Sequence, residues 1–200
     1  IGDADIFVVD KSRDTKTMNA YMTGILSSRR IVLWDTTINN LNEREVISIT
    51  AHEMGHYVRN HIWKGIGLGI AGTFLILFLI YLFSGWIIKA SGGAFGFTKL
   101  HSYASLPLLL ILLNLFNWLG QPAVNGVSRV FEREADLYEI SMTRDRESAV
   151  SAMEKLYETS LGVPRPSGFY EFWYHTHPSL EDRIRFYMTE ELEEIAKGGQ

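Results

Sequence analysis

The sequence predicts a mainly helical α+β chain in which a small β-meander and a set of helices are interrupted by a two-helix transmembrane hairpin. Three observations carry this. Charge falls in blocks: residues 1–65 hold eight Lys/Arg and eight Asp/Glu, residues 129–200 hold nine and fifteen, and residues 66–128 hold only Lys89 and Lys99. A soluble domain averages about a quarter charged residues, so the centre is built for another solvent. Short β-prone runs separated by polar turns precede that centre, and helix-start signals stand on both sides of it. The expected division is therefore 1–65 (sheet and first helix), 66–128 (hairpin) and 129–200 (further helices), with the outer two stretches forming one domain.

Taken in order, Asp5–Asp10, Met18–Gly24 and Arg30–Asp35 are runs of strand length, rich in Ile, Val, Phe and Tyr and bounded by Ser, Asp and Gly, as a meander requires. Asn42, followed three residues on by Glu45, forms a capping box that opens a helix running through Val46, Ile49, His52 and His56 toward His61. Ile66–Ile88 is uncharged throughout, and a second uncharged run lies between Lys99 and Arg129, with His101 its only ionisable group. About 20 apolar residues cross a bilayer core, and Trp86, Tyr103 and Trp118 stand where interfacial anchors belong. Two such runs buried in a soluble core would outweigh the polar shell available to cover them. After the hairpin, Val127–Met142 and Glu147–Leu161 read as helices, Val163–Tyr174 as a loop, and Pro178 as the first residue of a last helix that leads into an acidic, Gly-terminated tail.

Composition narrows the chemistry. No Cys is present, so disulfides, thiolate nucleophiles and Cys-ligated zinc are excluded and His and carboxylates are left as metal ligands. A net charge of −4 offers no basic field for nucleic acid. The chain opens at Ile1 without a Met or a signal-peptide pattern, as an excerpt or processed form would.

His52-Glu53-Met54-Gly55-His56 places two imidazoles four apart on one helix face, where they can share a metal, with Glu53 beside them to take a proton from water. Two His leave a catalytic zinc site short of one protein ligand. Arg129-Val-Phe-Glu132-Arg-Glu134-Ala-Asp136 supplies candidates. Glu132 and Asp136 share a face and Glu134 points about 200° away. Glu132 is therefore assigned as third ligand, Asp136 as the acceptor that orients a ligating His, and Glu134 to a solvated face. In His175-Thr-His177-Pro-Ser-Leu-Glu-Asp-Arg183, His177 precedes a Pro-started helix and is a candidate oxyanion donor. Arg183 is a candidate to buttress that loop or pair with an acid of the site. His61 and His101 read as a helix-face histidine near the membrane and an interfacial one. A hairpin returns the chain to the side it left, so His56 and Glu132 share one membrane face.

His52–His56, the hairpin, Ser128-Arg129-x-x-Glu132-x-x-x-Asp136 and His177-Pro178-x-x-x-x-Arg183-Ile184 occur in that order, after Asn19–Gly24 and Arg30–Thr36. Over about residues 15–190 this pattern resembles the type I CAAX prenyl protease family of integral-membrane zinc metallopeptidases, with the HtpX-like heat-shock proteases as more distant relatives. The resemblance implies a zincin-like, gluzincin catalytic domain. It implies one zinc per chain on His52, His56 and Glu132, with Glu53 as general base, Asp136 supporting a ligating His, and His177 with Arg183 near the substrate. It also implies further transmembrane helices ahead of the strands, which this sequence does not contain.

The expected activity is hydrolysis of a peptide or protein substrate that is membrane-associated or lipidated. Asn19, Ala20 and Tyr21 would pair with an extended substrate if their strand is a sheet edge; a plain structural strand is the alternative. Arg59, Lys64, Arg129 and Arg133 flank the metal side against Lys89 and Lys99 in the hairpin link, which places that side in the cytoplasm and the hairpin in the lipid bilayer. A non-catalytic zinc-stabilised membrane scaffold or quality-control adaptor is the rival reading. A metal transporter fits poorly, since every proposed ligand lies outside the uncharged runs.

Overall fold

Ile31, Val32 and Leu33 are three consecutive buried residues, the pattern of a strand covered on both faces and flanked on both edges. In the computed structural model, which describes residues 5–24 and 28–189, β3 (Arg30–Trp34) is indeed central. β1 (Asp5–Val9) lies parallel on one side and β2 (Ala20–Thr23) antiparallel on the other, in the order β1-β3-β2. The sheet is mixed and is not the meander expected.

The cause is the segment between β1 and β2, which is tied to the helix that follows β3, α1 (Asp35–Asn40). The Asp35 carboxylate accepts the N–H groups of Lys11 and Ser12 at 2.7 and 3.0 Å. The Thr36 hydroxyl donates to the Thr17 carbonyl at 2.8 Å and that of Thr37 to the Asn19 carbonyl at 2.7 Å. These bonds lead the chain past the end of β3, so β2 pairs on its far side. Ala20 and Met22 then face a core with Ile31, Leu33, Leu41, Ile49 and Ala152, while Tyr21 is exposed.

The helix α2 (Glu43–Val58) opens with the expected capping box: the Asn42 side chain accepts the Glu45 N–H at 3.0 Å, and Glu45 accepts the Asn42 N–H at 2.8 Å. Glu45 is buried, and it also receives Lys155 at 2.7 Å and Ser151 at 2.6 Å from α5 (Arg146–Ser160). One side chain thus caps α2 and docks it on α5. The helix does not run to His61. It stops at Val58, Asn60 takes a left-handed conformation (φ 59°) that Asn tolerates better than most residues, and α3 (His61–Ala90) begins immediately.

The helices α3 and α4 (Leu106–Thr143), the latter preceded by a 3-10 turn at Tyr103–Ser105, are long and apolar enough to cross a membrane. Only 6% and 11% of their most apolar windows are buried, where the core helix of a soluble protein would be mostly covered. The chain divides into two compact units, one formed by the residues up to His61 together with those from Asn125 onward, the other by Ile62–Val124. The helix expected at Val127–Met142 is the second half of α4. Pro122 removes one N–H from the ladder without ending the helix, as membrane helices tolerate.

Two further expectations shift. Gly168–Tyr174, inside the stretch read as loop, is α6, capped by Ser167. The last helix, α7 (Leu180–Tyr187), starts after Pro178 with Ser179 as its cap, because the serine hydroxyl satisfies the Asp182 N–H at 3.2 Å. The acidic tail lies outside the described residues.

Glu45→Ala keeps the Asn42 cap on the residue-45 N–H but removes the reciprocal acceptor of the Asn42 N–H, and it leaves Lys155 and Ser151 without this partner. We expect a loss of about 1–3 kcal/mol, seen as a lower thermal midpoint in detergent; an unchanged midpoint would contradict the double role given to Glu45.

Candidate metal centre

The helical repeat puts His52 and His56 on one face of α2, and Glu132, Asp136 and Glu139 on one face of α4. What brings the two faces together is Gly55. A Cβ built there would lie 3.0 Å from the Ala135 Cα and 3.1 Å from the Tyr138 Cβ, so the α2 backbone rests directly on α4. Ala135 is fully buried. With the helices this close, His52 Nε2 and His56 Nε2 stand 3.1 Å apart, and each is 3.4 Å from one oxygen of Glu132. Donors held about 2.0–2.2 Å from a tetrahedral zinc lie roughly 3.3–3.6 Å from one another, close to this spacing.

The donor set itself tests whether a cation fits. Glu132 Oε2 is buried and finds no hydrogen-bond partner among the described residues, an orphan of the kind a bound ion satisfies. His52 Nδ1 lies 3.0 Å from Asp136 Oδ1. A carboxylate only accepts, so that nitrogen carries the proton and Nε2 faces Glu132 and His56. Burial alone would lower the His52 pKa, but Asp136, Glu132 and Glu139 outweigh it and hold it well above the usual histidine range. A metal on Nε2 would need that nitrogen's lone pair, so binding there competes with protons. His56 is pushed the other way, to about 4, by burial and by the positive charge of His52; it presents the neutral imidazole that ligates metals. The residues fit a metal ion.

Asp136 is anchored from α7. Arg183 makes a two-pronged ion pair with it, and the Tyr187 hydroxyl lies 2.8 Å from Asp136 Oδ1 and 2.7 Å from Glu139 Oε2. Arg183 pairs with an acid, one of the two roles weighed for it. Ser48 donates to the other oxygen of Glu139. His52, Asp136 and Glu139 form a second acidic group close enough to hold an ion, but its donor from His52 is the nitrogen already committed to Asp136.

Glu53 lines the same cavity of about 170 Å³ as His52, His56, Glu132, His177 and Arg183. Burial raises its pKa above the ordinary carboxylate range, with the nearby Glu132 adding to that and the charge of His52 and the Met22 N–H opposing it. His177, directly before Pro178, brings Nε2 to 3.4 Å from Glu132 Oε1 while remaining half exposed. Asn19, Ala20 and Tyr21 do not line the cavity. The Trp34 N–H donates to the Asn19 carbonyl at 3.1 Å, and the alternation of an antiparallel ladder then turns the N–H and C=O of Ala20 and Met22 toward the outer edge of the sheet.

Two readings change. His61 is buried rather than set on an open helix face, and Glu134 is paired rather than solvated: His61 Nε2 lies 2.9 Å from Glu134 Oε2, and His61 Nδ1 lies 3.0 Å from His56 Nδ1. The break at Asn60 turns His61 back against the end of α2, which an unbroken helix would not do. Glu139, Tyr187 and Ser48 went unremarked in the sequence. Extending the Glu132/Asp136 face by one residue and one turn finds Glu139, whereas Tyr187 and Ser48 carry no signal beyond their helical spacing from Arg183 and His52.

Comparison with known proteins places this geometry among relatives. The family description "Peptidase family M48" matches residues 1–191. The chain is 36% identical over 190 residues to the "Uncharacterized metalloprotease YhfN" of Bacillus subtilis (strain 168), covering 93% of this chain and 44% of that protein. It is 29% identical over 196 residues to CAAX prenyl protease 1 of Saccharomyces cerevisiae, covering 90% and 42%. The crystal structure of S. mikatae Ste24p matches with a TM-score of 0.72 at 27% identity, over 92% of this chain and 45% of that one. The chain thus spans less than half the length of these relatives.

Gly55→Ala gains about 1 kcal/mol of helix propensity but sets a methyl against the Ala135 backbone, and overpacking costs about 1–3 kcal/mol. The larger Gly55→Val should force α2 off α4. Metal content per chain, measured on purified protein, should fall little in the first variant and severely in the second; full occupancy in Gly55→Val would refute the close-approach argument.

Proposed function

The chain belongs to peptidase family M48, and from that premise we propose that it is a zinc-dependent membrane metalloendopeptidase acting on membrane-associated or lipidated, CAAX-like protein substrates. The observation that carries the reading is the convergence of His52 Nε2, His56 Nε2 and a buried, unpartnered Glu132 oxygen beside Glu53. Three protein ligands and an open position are the mark of catalytic rather than structural zinc, and a structural site has no need of a base.

His52, His56 and Glu132 hold the ion. Zinc, when bound, supplies a Lewis acid that polarises the scissile carbonyl and brings the pKa of water toward 7. Glu53 accepts the proton of the attacking water and passes it to the leaving amine as the C–N bond breaks. Its raised pKa suits both halves of that transfer, since a shuttle works best near the operating pH. His177, at the open side of the cavity, donates a hydrogen bond to the developing oxyanion. Asp136, held by Arg183, keeps His52 in the tautomer that ligates.

The outer edge of β2, to which the backbone groups of Ala20 and Met22 turn, would pair with an extended peptide. Of Asn19, Ala20 and Tyr21, only Ala20 has its backbone groups on that edge; those of Asn19 and Tyr21 face β3. The two apolar helices set the chemistry at a bilayer, with the catalytic side in the cytoplasm by the balance of flanking basic residues. The relative named CAAX prenyl protease 1 in Saccharomyces cerevisiae supports the substrate class.

Hydrolysis of a quenched fluorescent peptide by the detergent-solubilised chain, beside Glu53→Gln, tests the reading. The variant should keep one zinc per chain and cleave about 10²–10⁴-fold more slowly. Equal cleavage by both proteins would remove Glu53 from the mechanism. Zinc binding without cleavage by the wild type would favour a scaffold.

A further inference from the structure

We infer that His61 and Glu134 form a positioning pair for His56, fixing through a hydrogen-bonded chain which of its nitrogens is free to ligate. The inference rests on the reading of His52, His56 and Glu132 as the metal site. It assigns work to two residues that the proposed mechanism does not use.

The argument is proton accounting. Glu134 Oε2 lies 2.9 Å from His61 Nε2, and a carboxylate only accepts, so His61 Nε2 carries a proton toward it. An ion on His56 Nε2 uses that nitrogen's lone pair, so the proton of His56 is on Nδ1 and His61 Nδ1 must offer a lone pair to receive it. That lone pair faces His56 Nδ1 at 3.0 Å, and two facing nitrogens need one proton between them. The proton belongs to His56 Nδ1. His56 Nε2 is left with its lone pair directed toward His52 and Glu132.

The arrangement is also mechanically fixed. His61 is 5% exposed, and its ring stacks on Phe131 with centroids 4.3 Å apart and planes 7° from parallel. The left-handed Asn60 sets the chain direction that delivers it. Both zinc-facing imidazoles thus have an outward partner on α4. His52 uses Asp136 directly, and His56 uses Glu134 through an intervening imidazole. Partners of ligating histidines typically contribute 10–100-fold in metal affinity.

The test compares His61→Phe, which keeps a ring on Phe131 and removes both nitrogens, with His61→Asn, whose amide oxygen replaces the Nδ1 acceptor. Zinc affinity is measured by competition with a chromophoric chelator, geometry by the visible spectrum of the Co2+-substituted protein, and folding by thermal melts. His61→Phe should bind zinc about 10–100-fold more weakly and shift the cobalt bands at an unchanged melting midpoint. His61→Asn should stay close to wild type, and Glu134→Ala should fall between. Wild-type affinity in His61→Phe would overturn the inference, as would an equal loss in both His61 variants, which would mean that ring packing and not the acceptor matters. A wild type that binds no zinc at all would bring down the metal-site reading, and the inference with it.

Discussion

The contact of Gly55 with Ala135 is the constraint on which the site depends. Two helices from opposite ends of the sequence can pool their side chains only if their axes come close enough for short-range donors to share one point. At this crossing hydrogen fits freely, and a methyl group only if α4 gives way by a few tenths of an ångström. His52 stands three residues before Gly55 and His56 one after it, while Glu132 and Asp136 flank Ala135 on α4. The glycine costs helix propensity, and the return is that His52 Nε2 and His56 Nε2 stand 3.1 Å apart, each 3.4 Å from its own oxygen of Glu132.

Around that crossing the protein accepts a second expense, the burial of charge. Glu132, Asp136, Glu139 and Arg183 all lie in the interior. Burying ions is unfavourable unless each is paired and its lone pairs are satisfied. Arg183 donates to Asp136 and Ser48 to Glu139, and the one Tyr187 hydroxyl proton lies between the two carboxylates. Glu132 differs: its Oε2 receives no hydrogen bond, and His52 Nε2 at 3.4 Å and Arg183 at 3.9 Å only approach it, at the place where the imidazoles converge. A cation bound there would satisfy that oxygen.

The sheet contributes in a different way. Its mixed order follows from the ties between residues 11–19 and the start of α1, and the consequence is that β2 has an outer edge with no further strand on it among the described residues. An antiparallel meander would have made β2 the central strand and closed that edge.

The sequence by itself determined whatever depends on local spacing. The i, i+4 pairs His52/His56 and Glu132/Asp136, the capping box at Asn42 and Glu45, and the two uncharged runs are all properties of a few neighbouring residues, and the 3.6-residue repeat converts them directly into faces, caps and spans. Only the tertiary structure decided which element lies beside which. The order of the strands turned on hydrogen bonds between segments some twenty residues apart. The partners of Glu45 lie more than a hundred residues away. The single left-handed residue at Asn60 turned His61 from a surface position into a neighbour of His56, and with it gave Glu134 a partner 73 residues distant. Helix spacing says where a side chain points, but what it meets depends on the chain's return, and that is set by long-range packing and by the few backbone angles that redirect it.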